Sequence, residues 1–140
     1  MKLEVVPAVS VGSIRIGMSE SEARTAVGHP FISFKRTPNS SRPCDFFKGF
    51  GIFIYYDSSD RVEAIELGSP AEPLIDGKNL LATPFAQVLE TLRKRFPQLA
   101  PEPDGFTAKS LGVGVYAPHA AKAPELPPES VIVFRLGYYD

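Results

Sequence analysis

The side chains able to do chemistry are few and scattered. Cys44 is the only cysteine, so no intrachain disulfide forms. Its neighbours Arg42 and Asp45 carry opposite charges and supply no net field to activate the thiol, which reads as an inert loop or half-buried group. The two histidines, His29 and His119, lie far apart without ligand-spaced partners, so no metal centre is expected. Asp57 and Asp60 flank a tight turn, where Asp side chains bond the backbone. Glu63 and Glu66 stand three apart on a predicted strand. They face opposite ways unless a bulge intervenes, which argues against an acid–base pair. The glycines of GFG (49–51) and GVG (112–114) open strands rather than helices, so they cradle no phosphate. With no convergent set of titratable groups, neither an enzyme nor a cofactor is expected.

What remains is the chemistry of docking. GIFIYYD (51–57) is echoed by GVGVYAP (112–118), and the final four residues are GYYD (137–140). Alternation puts Ile52, Ile54, Val113 and Val115 on one side of a sheet. Phe53, Tyr55, Gly114 and Tyr116 fall on the other. Small aliphatics suit a helix-covered side. An uncovered row of Phe53, Tyr55 and Tyr116 holds much apolar area in water and would anchor a partner. The competing reading buries that row beneath a long loop, 36–45 or 118–130. The polar stretch RTPNSSRPCD (36–45) is either a variable surface loop or a rim whose Arg36 and Arg42 meet an acidic partner. Phe47 and Tyr139 complete the expected rim.

These residues need two kinds of element to position them. Ser19-Glu20-Ser21-Glu22 is a capping box opening a short helix, which Gly28 ends and Pro30 keeps from resuming. Thr83 is the expected cap of a second helix, with Pro84 in its first position. Phe85, Val88, Leu89, Leu92 and Phe96 recur at helical spacing, and Pro97 ends the run. Strands are expected over 31–35, 51–57, 61–67, 112–117 and 131–138. The order repeats: IRIGMSESEA (14–23) answers KNLLATPFAQ (78–87), Asp45-Phe46 answers Asp104-Gly105-Phe106, GIFIYY answers GVGVYA, and VEAIEL (62–67) answers VIVFRL (131–136). The expected fold class is α+β. Two tandem repeats, about 12–67 and 76–138, each pack a short helix on one face of an antiparallel sheet in a single domain, 1–140.

Bulk composition narrows the function classes. A chain of 140 residues with 44% hydrophobic and 22% charged residues buries a sizeable core. Net charge is −1 and Arg93-Lys94-Arg95 lies on a helix's polar face, so nucleic acid is not an expected partner. No apolar run is long enough to span a membrane, and Glu4 and Pro7 interrupt any secretory segment. A cytoplasmic location is the expectation. Asn39-Ser40-Ser41 has the form of a glycosylation sequon, without a route to the modifying enzyme.

The first half reads I-x-I-G-M-S-x-x-E over 14–22, G-x-P over 28–30, and Y-Y-D-x-x-x-R-V-x-x-I over 55–65. This pattern resembles the small αβ repeat of the outer-membrane assembly lipoproteins, the SmpA/OmlA-type domain. Two such repeats in tandem are similar to the β-lactamase inhibitor protein family. The resemblance implies a sheet that presents aromatics to a target, as immunity-type proteins do. The expected partner is therefore another protein, a toxin or an enzyme. Alternatives are self-assembly through the C-terminal strand, giving a homodimer, and small-ligand binding.

Overall fold

The computed structural model describes all residues except Ser41 and Asp140. The chain is α+β, with two helices and two mostly antiparallel sheets. The N-terminal strands are β1 (Lys2–Val6), β2 (Ser10–Val11) and β3 (Ile14–Arg15), followed by helix α1 (Glu20–Val27). Strands β4 (Ile32–Phe34), β5 (Cys44–Phe47), β6 (Ile52–Tyr56) and β7 (Val62–Gly68) come next. They are followed by β8 (Glu72–Ile75), β9 (Lys78–Asn79) and helix α2 (Phe85–Arg93). The chain finishes with β10 (Gly105–Ala108), β11 (Val113–Tyr116) and β12 (Ser130–Phe134).

The small sheet runs β3-β2-β1-β8-β9, and its β1–β8 pair is parallel. The large sheet is antiparallel throughout, in the order β10-β11-β12-β7-β6-β5-β4. Helix α1 precedes a four-strand meander, β4–β7, and α2 precedes a three-strand meander, β10–β12. The two meanders join through β7 and β12.

Local chemistry explains α1 well. The Ser19 hydroxyl accepts from the Glu22 N–H at 3.1 Å, and the Ser19 N–H donates to Glu22 Oε1 at 3.0 Å. Gly28 ends the helix at φ 69°, a left-handed conformation that glycine adopts without a Cβ clash. Helix α2 departs from expectation. Pro84, not Thr83, occupies its N-cap, and the Thr83 hydroxyl donates to the Asn79 carbonyl at 2.7 Å. That bond ties the helix entry to β9 instead of capping the first turn.

One face of the large sheet is the core. Register places Phe106, Val115, Val131, Leu67, Ile52 and Phe47 in one line across six strands. All six are buried in a cluster with Ala23 and Val27 of α1 and Val88 and Leu92 of α2. Leu3, Val5, Ile75 and Leu80 extend the same cluster toward the small sheet. The second inward line is Ala108, Val113, Val133, Ile65, Ile54, Asp45 and Ser33. Asp45 in it is 1% exposed, and a charge so buried needs partners. Arg24 of α1 grips it with two hydrogen bonds, of 2.8 and 3.0 Å. The Ser33 and Tyr56 hydroxyls donate to it at 2.6 Å each. Burial alone would raise this carboxyl, but these bonds outweigh it and hold the group below its ordinary range.

Two expectations need correction here. The C-terminal strand lies between β11 and β7, with hydrogen bonds along both sides, so it offers no free edge for a second copy. It also ends at Phe134, and the chain turns before Tyr138.

Candidate functional site

The opposite face of the large sheet is built by the residues between those inward lines. One row crosses all seven strands: Thr107, Gly114, Ile132, Glu66, Phe53, Phe46 and Ile32. Its β4–β6 end is aromatic. Phe46 and Phe53 stack with ring centroids 4.2 Å apart, and Phe34 meets Phe53 edge-on at 6.4 Å. Ile32 at the sheet edge is 59% exposed. Toward β11 the floor sinks at Gly114, which has no side chain, and the surface becomes a cleft of about 620 Å³.

The cleft is bordered by loop residues Arg36, Thr37, Ser40 and Pro43, by the C-terminal Tyr138 and Tyr139, and by Glu102 and Asp104 before β10. Tyr55 and Glu66 lie on its floor. The Tyr55 hydroxyl donates to Glu66 Oε1 at 2.7 Å, and Arg36 Nη1 donates to the same oxygen at 2.9 Å as well as to the Tyr55 hydroxyl. The Arg36 guanidinium also stands 5.2 Å from the Phe53 ring centroid and 5.7 Å from that of Tyr55. Burial, then the hydrogen bond to Glu66, pushes the Tyr55 phenol far above its ordinary range, so it remains a donor.

Glu63 lines the same cleft as Glu66. The register slips between Tyr55 and Tyr56, where Ala64 pairs with Tyr55 and Val62 with Tyr56. That bulge leaves Glu63 without a cross-strand partner and breaks the simple alternation expected from the spacing. Burial raises the Glu63 carboxyl, against the pull of Arg135 at 3.5 Å.

The candidate residues do not all meet here. Tyr116 is 47% exposed at the cleft, and Phe53 and Tyr55 are half-buried on its face. Tyr139 is 44% exposed and packs edge-on against Phe134, centroids 4.9 Å apart. Phe47 is a correction: it is fully buried on the helix side, and its neighbour Phe46 faces outward. Arg42 is a second correction. It borders the cleft, but its guanidinium is committed to Glu20 and Asp60 and lies 4.8 Å from the Tyr56 ring. The acidic patch it meets belongs to its own chain. Phe34, Phe46 and Ile32 went unrecognised as surface residues. The signal was present only in the alternation of the short strands that hold them.

The remaining chemistry-bearing groups stay apart. Cys44 is buried, and burial raises its thiol, which makes a poor nucleophile. His29 stacks on Phe50 at 4.1 Å. Among the described residues no group of three or more His, Cys, Asp or Glu could hold a metal, and no helix is long and apolar enough to cross a membrane. No family model, no curated protein and no solved structure matches the chain.

Proposed function

We propose that the chain is a non-enzymatic binding module. In this reading it docks the open face of its large sheet on another protein, in the manner of an immunity-type inhibitor of a toxin or enzyme. One observation carries the reading. The outward row sets exposed Ile32 and half-buried Phe46 and Phe53 beside a tyrosine-lined cleft, on the face opposite both helices. Aromatic anchors beside polar groups are the composition of interface centres. The test is affinity capture from the source cells with wild type and a Phe53→Ala/Tyr116→Ala variant. Loss of a captured protein in the variant supports docking through this face. Equal capture of every protein by both removes the proposal.

The tandem-repeat organisation belongs to the same reading. Its support is the recurrence of helix and meander, with Phe53 and Gly114 in one row on either side of the β7–β12 pair. Superposition of the two units through their strands tests it, and a failure to overlay sinks it.

A small-ligand carrier is the second reading. The cleft volume of about 620 Å³ favours it, since drug-sized ligands occupy pockets of roughly 300–1,000 Å³. Thermal stabilisation of wild type, but not of Glu63→Gln/Glu66→Gln, by a member of a metabolite library would select it over docking.

A further inference from the structure

The cleft is unevenly charged. Its arginines are already matched, Arg36 by Glu66 and Arg42 by Glu20 and Asp60. Glu63 has Arg135. Glu102 and Asp104 are exposed and have no basic partner among the described residues. The backbone that carries them is held at both residues. The Glu102 N–H donates to the Gly105 carbonyl at 2.7 Å, and the Ala117 N–H donates to the Asp104 carbonyl at 2.8 Å. Pro101 and Pro103 further restrict the segment. Tyr116 pairs with Gly105 in register, so its exposed ring stands beside this turn.

Exposed carboxylates on a backbone-braced turn, beside the exposed Tyr116 ring, suit a cation carried on an apolar stem. We propose that the cleft takes a basic segment of a partner protein, whose lysine or arginine lays its stem on Tyr116 and brings its charge to the Glu102–Asp104 turn. The inference rests on the docking reading and adds the partner's chemistry. Complementary charges of this kind set partner choice and speed encounter.

The test is fluorescence anisotropy at low ionic strength with a short lysine-bearing Gly-Ser peptide and its glutamate-bearing counterpart, both labelled. The full chain is expected to bind the lysine peptide alone. Glu102→Gln/Asp104→Asn should weaken that binding about tenfold, and Tyr116→Ala should weaken it as well. Glu4→Gln/Glu125→Gln, an equal change of charge away from the cleft, should leave it nearly unchanged. No preference for lysine, or equal weakening by the two double variants, overturns the inference. If Phe53→Ala/Tyr116→Ala still abolishes capture of a partner while the lysine peptide is not preferred, docking stands and the basic segment falls.

Discussion

Asp45 is the most demanding residue in the fold, because it places a charge where water does not reach. Removing one partner of such a group costs more than the pair contributes, since the other is left unmatched. Arg24 keeps some contact with water, at 31% side-chain exposure, which moderates the loss. Asp45→Asn is expected to destabilise the protein by roughly 2–3 kcal/mol in urea unfolding. The sign with pH follows from the depressed carboxyl. Its contribution is complete above the ordinary carboxylate range and is lost as pH falls through the lower folded-state value. Wild type should therefore lose stability more steeply than Asp45→Asn does once pH falls below the ordinary carboxylate range. From sequence, Asp45 was visible only as a charged neighbour of Cys44 and a landmark of the repeat, because Arg24, Ser33 and Tyr56 are separated from it along the chain. Phe46 and Phe47 show the same limit. Two adjacent phenylalanines face opposite ways, and a short strand gives no independent means of telling which one faces out.

At the scale of elements, legibility followed local chemistry. The α1 boundaries were readable because the capping box and Gly28 act within the helix itself. Ser19→Ala is expected to cost about 1 kcal/mol, measured by thermal unfolding. The strands of the large sheet that alternate clearly were also readable. The small sheet was not, because β2, β3 and β9 are two residues each and owe their shape to pairing. The slip in β7 that brings Glu63 to the cleft was equally hidden, since a bulge is set by cross-strand register. The turn before β10 has a firmer requirement. Gly105 sits at φ 131°, and a Cβ there would lie 1.9 Å from the Val115 carbonyl oxygen. Gly105→Ala should cost roughly 3 kcal/mol or more and splay β10 from β11. Circular dichroism during urea titration would read this, and a near-neutral result would remove the rigid-turn argument.

At the scale of the molecule, β7 and β12 form the seam that makes one sheet from two meanders. Both are flanked by paired strands on each side. Amide hydrogen exchange should be slowest in β7 and β12 and faster in the edge strands β4 and β10. Early exchange in β12 would contradict the central placement. This placement closes the C-terminal strand to edge pairing, and the proposed docking surface is the large sheet's open face. The most direct test of that role is the dissociation constant of a purified captured partner, measured by isothermal titration with wild type and with Phe53→Ala/Tyr116→Ala. Two anchors at an interface centre predict a rise of about 100-fold or more in Kd. An unchanged Kd, with the variant still folded, would contradict docking through this face.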